Sequence, residues 1–321
     1  MRVSQIARDE QAFQQPVDEQ ALRAALQREL SKQQVTSVTE LPSGMFNNAY
    51  RVSTDRGAYA LKIAPVAGAE VFYNERFLMQ RERAMATSLT SCSALVPRYL
   101  SFFTVDDREA FLQPWVEGEL WHEISGTLSD AENDRLWRQL GEFARRLHSC
   151  SGSGFGYPGP FSQHDRWSAF IADNVAGMAE DSRRLNVMTR DIEVYQRHIE
   201  AFAETLNQVS TPKLLHGDLW PRNVIVRRSE GSISIVAVID GERAFWGDPL
   251  SDWVLLLYGV PQAFWEGYGE NLLNDACPVR SVVYRGMYAL LNILETVRFA
   301  ESPAAPRQRL AAVNHELNNL S

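Results

Sequence analysis

The spacing of hydrophobic residues changes along the first third of the chain. Leu22, Leu26 and Leu30 follow a helical spacing, which predicts a helix over 17–30 after a loosely held polar tail at 1–16. Short runs rich in β-branched and aromatic residues come next, separated by polar turns, and these runs predict strands. The strands are expected at 35–41, 49–52, 59–63, 98–103 and 110–116, with a long helix over 68–89.

After Gly118 the pattern becomes mostly helical, so we expect the boundary between two lobes there. The layout predicts an α+β protein in which a small β-rich N-lobe, 1–117, precedes a larger helical C-lobe, 118–321. The alternating elements and glycine fingerprint of a dinucleotide-binding fold are missing from the sequence. C-lobe helices are expected over 136–148, from 167 into the 170s, over 192–206 and over 282–299, with one hairpin over 224–239.

Composition narrows the functional classes. The net charge of −8 argues against a nucleic-acid partner, because such a protein needs a basic face for the phosphates. The N-terminal sequence MRVSQIARDEQAFQQ lacks the apolar segment of a signal peptide. The longest apolar runs, such as 254–257, are too short to span a membrane. We therefore expect a cytoplasmic protein whose three cysteines, Cys92, Cys150 and Cys277, are reduced thiols.

The strongest chemical signal lies between Leu214 and Asp240, in the sequence LLHGDLWPRNVIVRRSEGSISIVAVID. Asp218 precedes Asn223 by five residues, and Asp240 ends the second strand of the predicted hairpin. One acid at such a place can serve as a base, while an amide and a second acid can hold a metal. Phosphoryl transfer requires this set, because its transition state is stabilised mainly by positioning and charge neutralisation. His216 has no metal-ligand spacing and is expected to orient the loop.

Lys62 is the N-lobe candidate for a phosphate contact. It lies in YALKI, between two apolar residues of the third predicted strand, and such an ammonium needs a carboxylate to fix it. The predicted helix over 68–89 offers Glu70, Glu75 and Glu82, of which the last two are one heptad apart and so share nearly one helical face.

Two further N-lobe segments are candidates for binding a nucleotide. Glycine and short polar residues in the turn at 43–48 let backbone N–H groups approach an anion. The segment FLQPWVEG at 111–118 is a candidate hinge that bonds adenine through backbone groups. The cofactor-binding candidates from these segments are Ser43, Gly44, Asn47, Gln113, Trp115 and Val116.

HGDLWPRN, together with Asp240 in VIDGERAFWGDPLSDW, resembles the aminoglycoside phosphotransferase and choline kinase-like family over about 35–255. These are small-molecule relatives of the protein kinases, so the resemblance implies a two-lobed protein-kinase-like fold, ATP and Mg²⁺. It implies that Asp218 is the catalytic base toward a substrate hydroxyl and that Asn223 and Asp240 bind magnesium. Lys62 would contact the ATP phosphates.

The same resemblance selects Glu82 over Glu75 as the partner of Lys62, because RERAM at 81–85 is similar to the family's helix pattern. His-Gly-Asp replaces the His-Arg-Asp of protein kinases, which favours a small-molecule acceptor. Gly241 stands where relatives often carry a bulky residue. Asp248 and Asp252 are expected to support the catalytic loop.

The acceptor is predicted from charge alone. Residues 1–117 carry 13 basic and 14 acidic side chains, whereas residues 118–321 carry 19 and 26. An acidic cleft would favour a hydroxylated amine, plausibly an antibiotic or another natural product. A metabolic kinase acting on choline, ethanolamine, a fructosamine or homoserine is the alternative, and a nucleotide-binding pseudokinase is a third. The candidate acceptor-binding residues are Trp167, Trp220, Arg222, Tyr284, Tyr288 and Glu295.

Overall fold

A six-stranded sheet forms the first part of the molecule. The computed structural model describes residues 1–10, 12–42, 44–161, 163–252, 259–274 and 277–320. The strands lie in the order β1-β2-β3-β4-β6-β5, with β1 parallel to β2 and the other neighbours antiparallel. They are β1 (Arg2–Ser4), β2 (Val35–Glu40), β3 (Asn48–Thr54), β4 (Gly57–Ile63), β5 (Ser101–Val105) and β6 (Arg108–Pro114).

The first helix packs on this sheet as its sequence predicts. α1 (Glu19–Glu29) begins after Asp18, whose side chain accepts a hydrogen bond from the Ala21 amide at 2.8 Å. Leu22 and Leu26 are buried in the same apolar core as the strand residues. The helical spacing therefore marks the sheet-facing side of the helix.

The N-terminal residues are held in place, so the prediction of a loose tail was wrong. β1 adds a strand to the sheet, and the Gln5 side chain donates to Val17 O at 2.8 Å and accepts from Val17 N at 2.9 Å. Arg8 pairs with the buried carboxylate of Glu40 at 2.5 Å. These partners are distant in sequence, and a local polar pattern does not reveal them.

The helix predicted over 68–89 is shorter than expected. α2 spans Leu78–Cys92 and follows a separate 3-10 turn at Tyr73–Glu75. Phe77 lies between them with φ of 60°, a left-handed conformation that interrupts the helix. Glu75 and Glu82 therefore do not share a helical face.

The second part is mostly helical, which agrees with the predicted α+β class. Its hairpin pairs with β7, and β8 pairs with β11 in a small second sheet. The strands are β7 (Glu119–Leu120), β8 (Lys213–Leu215), β9 (Val224–Ser229), β10 (Ser232–Val238) and β11 (Phe245–Gly247). The helices are α3 (Trp121–Ile124), α4 (Asp130–Ser149), α5 (Trp167–Arg184), α6 (Arg190–Ala201), α7 (Ala203–Leu206), α8 (Gln262–Tyr268), α9 (Pro278–Arg298) and α10 (Ala304–Leu320).

Two apolar cores support this second part. One joins α5, α6, α9 and α10, and the other joins α4, α8 and the β9–β10 hairpin. Among the described residues, none of the helices is both long and apolar enough to cross a bilayer. The apolar run at 254–257 lies outside the described residues, and the lobe boundary at Gly118 stays a prediction.

A disulfide joins the two parts, so the prediction of three reduced thiols was wrong for two of them. Cys92 at the end of α2 is bonded to Cys150, the residue after α4, and only Cys277 is a free thiol. The two residues are 58 positions apart, and their proximity depends on how α2 packs near α4. Cysteine spacing alone could not predict this contact.

Removal of the disulfide should destabilise the protein. Because the bond closes a long loop, Cys92→Ser should lower the free energy of unfolding by about 2–4 kcal/mol. Urea unfolding measures this change, and Cys277→Ser, which removes the free thiol, should leave the midpoint nearly unchanged. Three titratable thiols in the unfolded, unreduced protein would contradict the disulfide.

Candidate active site

The loop from His216 to Asn223 connects β8 to β9, and the side chain of Asp252 binds its backbone. The Asp252 carboxylate accepts backbone hydrogen bonds from His216 at 3.3 Å and Gly217 at 3.2 Å. His148 Nε2 lies 3.1 Å from the same carboxylate. Burial raises the pKa of Asp252, but the bond and charge of His148 outweigh this effect and lower it. Asp252 thus supports the loop, as predicted.

The backbone conformation of this loop, and its close contact with a neighbouring segment, require glycine at position 217. Gly217 has φ of 74°, and an added Cβ would lie 2.2 Å from the Arg243 carbonyl oxygen. The loop therefore packs against the segment that follows Asp240. Burial lowers the pKa of His216, so its ring is neutral and serves the packing of the loop.

Asp218 faces a cavity and has the electrostatic properties of a base. Its carboxylate accepts a hydrogen bond from Asn223 Nδ2 at 2.8 Å. Burial raises the pKa of Asp218 to about 6, against the opposing effect of the Arg243 guanidinium. A base is most effective when its pKa lies near the working pH, so this environment suits proton transfer.

Asn223 and Asp240 lie next to each other across the hairpin ends. The Ile239 amide donates to the Asn223 carbonyl oxygen at 2.9 Å, and Asp240 follows with φ of 70°. The Asn223 amide nitrogen is used by Asp218, which leaves its amide oxygen for a cation. Carboxylate and amide oxygens are the ligands that Mg²⁺ prefers, so these residues fit the predicted metal.

The Lys62 ammonium lies among three carboxylates. Its Nζ is 2.7 Å from Glu242 Oε2 and 3.2 Å from Glu82 Oε2, and it also donates to Asp240 Oδ1. Oxygens of these three acids lie within 4.8 Å of one another. Three carboxylates around one ammonium leave an excess of negative charge, and this excess favours a divalent cation.

The acids of this cluster differ in their pKa. Burial raises the pKa of Glu82 to about 7, although Lys62 lowers it. Burial also raises the pKa of Glu242. Asp240 differs, because the ammonium outweighs burial and lowers its pKa. Asp240 is therefore the most firmly ionised of the three.

Glu75, the alternative partner for Lys62, lies elsewhere. Both of its carboxylate oxygens accept from Arg298 of α9, at 2.6 and 2.7 Å. Such a bidentate pair links the turn before α2 to the helical part. Glu82 alone of the three glutamates considered contacts Lys62 among the described residues.

Gly241 allows α2 to approach the loop after Asp240. An added Cβ there would lie 2.6 Å from Leu89 Cδ1. A larger residue at this position would require the Leu89 side chain of α2 to move.

The turn at 43–48, which is the predicted phosphate loop, contacts the site through Asn47. Asn47 Nδ2 donates to Glu242 Oε2 at 2.6 Å, and the Asn47 carbonyl accepts from Gln14 Nε2 at 3.0 Å. Gly44 has φ of 101°, suited to the turn. Ser43 lies outside the described residues. The roles of these residues toward phosphate stay predictions.

Two donor groups of the predicted hinge at 111–118 make hydrogen bonds within the protein. Gln113 Nε2 donates to Pro97 O at 2.9 Å, and the Trp115 amide donates to Ala58 O at 3.0 Å. The Gln113 bond is made by its side chain and not by the backbone groups expected to bind adenine, so the adenine contacts of Gln113 and Trp115 stay predictions. Val116 follows the end of β6 at Pro114, and its role stays a prediction.

A cavity of about 170 Å³ opens beside Asp218. Of the predicted acceptor-binding residues, Trp220, Tyr288 and Glu295 line it. The other lining residues are Met45, Asn74, Tyr157, Asn174, Met178, Gly217, Arg243, Phe245, Met287 and Leu291.

Three predicted acceptor-binding residues do not line the cavity. Trp167 is fully buried and donates from Nε1 to Tyr284 OH at 2.6 Å, and that hydroxyl donates to Asp248 at 2.7 Å. Both rings belong to the apolar core around α5 and α9. Arg222 is exposed over the Trp220 ring, 5.1 Å from its centroid. The aromatic composition did not distinguish core rings from cavity rings.

Sequence reasoning missed several polar residues of the site. Glu242 and Arg243 follow Asp240 almost directly, so their position beside the metal candidate was an available signal. Burial lowers the pKa of Arg243, but Asp218 and Glu295 outweigh it and raise the pKa, so this side chain is a permanent cation. Asn74 and Asn174 gave no sequence signal, since they lie in unrelated segments.

A family model described as "Phosphotransferase enzyme family" matches residues 37–290. The chain belongs to this family. A protein of Enterococcus faecium named "probable ketoamine kinase" is 28% identical over 203 residues, or 58% of this chain and 64% of that protein. One of the same name from Synechocystis sp. is 28% identical over 178 residues, or 50% and 56% of the two chains. The chain thus spans less than two thirds of these relatives' length.

Solved structures of the family share the fold. Aminoglycoside 2'-phosphotransferase-IIIa in its GDP complex has a TM-score of 0.63 and 16% identity, covering 93% of this chain and 99% of that chain. The streptomycin–ATP–APH(2'')-IIa ternary complex has a TM-score of 0.60 and 16% identity, covering 95% and 97%. The predicted resemblance and the two-lobed kinase-like α+β fold are confirmed.

The raised pKa of Asp218 predicts a pH dependence. A carboxylic acid acts as a base only when ionised, so kcat/KM should reach its plateau well above pH 6, be about half of it near pH 6 and fall further as the pH drops. Asp218→Asn should lower phosphoryl transfer roughly 10²-fold or more. Steady-state rates from pH 5 to 8 measure both effects.

A folding control accompanies this variant. Burying the Asp218 charge opposes folding at neutral pH, so Asp218→Asn should melt at the same or a higher temperature than the wild type. Near-wild-type turnover in Asp218→Asn would exclude the residue as the base.

Proposed function

We propose that this protein is an ATP- and magnesium-dependent phosphotransferase that phosphorylates a hydroxyl group of a small molecule. The observation that carries the proposal is a chain of contacts that begins at the cavity: Asp218 lines it and bonds to Asn223, and Lys62 pairs with Asp240, the residue after the Ile239 amide that bonds to Asn223. A pseudokinase that lacks turnover is disfavoured, because all four residue types needed for the reaction are present.

The residues have separate tasks in the transfer. The oxygen of the acceptor hydroxyl bonds to the γ-phosphorus of ATP while the bond from that phosphorus to the departing ADP breaks. Asp218 accepts the proton that this hydroxyl loses. Lys62, fixed by Glu82, contacts the phosphates. Asn223 and Asp240 would hold Mg²⁺, which neutralises phosphate charge when bound.

The cavity supports a compact acceptor. Its volume of about 170 Å³ lies below the roughly 300 Å³ at which drug-sized ligand sites begin. A single sugar ring or an amino alcohol suits this space better than a multi-ring antibiotic. We therefore propose that a ketoamine or an amino alcohol suits this site as an acceptor at least as well as an aminoglycoside.

The charges in the cavity support an amine on that acceptor. Glu295 and Asp218 contribute carboxylates, and Trp220 and Tyr288 also line the cavity. Arg243 offsets one charge, with its Nη2 3.8 Å from Glu295 Oε1. An ammonium group of the acceptor would pair with Glu295 opposite the phosphorylated hydroxyl.

The metal assignment can be tested through nucleotide binding. If Asp240 holds magnesium, Asp240→Ala should abolish transfer and weaken ATP binding only when magnesium is present. Calorimetric titration of ATP with and without magnesium measures this. Glu266→Ala, which removes a surface carboxylate of α8, should bind as the wild type does. Equal ATP affinity of Asp240→Ala and wild type at saturating magnesium would exclude the role.

The acceptor class can be tested with a panel. We expect kcat/KM to be higher for the cationic fructosamine, choline, ethanolamine and streptomycin as a group than for the neutral glycerol and the anionic glycerate. For the cationic group it should fall as ionic strength rises. ADP release measures transfer. Preference for glycerol or glycerate, insensitive to salt, would remove the cationic acceptor but keep the kinase assignment.

A further inference from the structure

Two buried asparagines line the acceptor cavity from opposite parts of the fold. Asn74 lies in the turn before α2, within the first 117 residues, and Asn174 lies on α5. Each residue is 4% exposed. The amide oxygen of each has no hydrogen-bond partner among the described residues. Each is therefore an acceptor without a donor in the part of the chain that the structure describes.

The backbone of Asn74 is rigidly held. Arg81 Nη2 donates to the Asn74 carbonyl at 2.5 Å, and the amide of Tyr73 donates to Asp181 of α5 at 2.6 Å. On the other side, Glu75 is fixed by its bidentate pair with Arg298. These bonds fix the position of the turn but leave the Asn74 amide oxygen unused.

Asn174 is placed by a weak contact. Its Nδ2 donates to the thioether sulfur of Met287 at 3.5 Å, and sulfur is a poor acceptor. This contact fixes one end of the amide and leaves the oxygen unpaired. A buried polar atom without a partner costs stability, so its presence beside a cavity requires an explanation.

We propose that Asn74 and Asn174 are specificity-determining residues that accept hydrogen bonds from two donor groups of the acceptor molecule. The inference rests on the proposed function of the cavity. An acceptor with only one hydroxyl and one amine cannot satisfy Asp218, Glu295 and both amides. The site therefore selects polyhydroxylated amines, and such a ligand bridges the two parts of the fold.

The experiment compares fructosamine, which carries several hydroxyl groups, with ethanolamine, which carries one. Asn74→Leu and Asn174→Leu remove the acceptor oxygens at similar side-chain size. Each should raise the KM for fructosamine roughly 3- to 10-fold, with kcat and the KM for ATP within about twofold of wild type. The KM for ethanolamine should hardly change, so selectivity for fructosamine should fall.

Asn314→Leu is the matched control. Asn314 is also buried, and its amide oxygen also has no partner among the described residues, but it lies on α10 and does not line the cavity. This variant should keep both KM values. Asn174→Asp, which keeps an acceptor oxygen, should hold the KM for fructosamine within about twofold of wild type. Melting temperatures of all variants report on folding.

Binding separates this inference from the proposed function. If wild type transfers phosphate to no member of the panel, the kinase proposal fails, yet calorimetric titration of fructosamine still tests the two asparagines. A fructosamine affinity that falls in both cavity variants but not in Asn314→Leu supports the inference. Unchanged fructosamine affinity and selectivity in Asn74→Leu and Asn174→Leu, or wild type that binds ethanolamine but not fructosamine, would overturn it.

Discussion

The ammonium of Lys62 lies among the carboxylates of Glu82, Asp240 and Glu242, and the rest of the site depends on this contact. The four residues come from β4, α2 and the loop after β10, so the ion pairs fix these elements relative to one another. One ammonium cannot neutralise three acids, and burial strengthens their mutual repulsion. Burial raises the pKa of Glu82 and Glu242, and the neighbouring carboxylates add to this rise, whereas Lys62 lowers the pKa of Asp240 and keeps it ionised.

Several other contacts join the sheet to the helical part around this cluster. Asn47 bonds to Glu242, Glu75 pairs with Arg298, and the Cys92–Cys150 disulfide ties α2 to the end of α4. The Arg298 guanidinium also lies 3.5 Å from the centroid of the Phe72 ring. Because α2 carries Glu82, each link near this helix affects the position of the Lys62 partner. The cluster around Lys62 is therefore connected through several contacts to the helices that line the cavity.

The cavity beside Asp218 combines one permanent cation with two acids and two amide oxygens that have no partner among the described residues. Arg243 lies near Asp218, where its charge opposes the effect of burial on the pKa of that acid. Glu295 lies within 4 Å of Arg243, and both residues line the cavity. An acceptor that satisfies these groups needs several donors and little volume. Specificity in such a site comes from unpaired polar atoms, since a ligand that leaves them unpaired forfeits their hydrogen bonds.

The sequence by itself determined the parts whose signals are local. Period and turn residues predicted the strands and most helices. The spacing of Asp218, Asn223 and Asp240 predicted that these side chains lie close together, because one loop and one hairpin connect them. Only the tertiary structure decided what depends on distant packing. In the structure α2 begins only after Phe77, Glu75 pairs with Arg298, and Cys92 is bonded to Cys150. In the folded protein Trp167 and Tyr284 are buried in the core, and Asn74 lines the same cavity as Asn174. Contacts between residues far apart in sequence depend on how the elements pack, and the local spacing of residues in the chain does not reveal them.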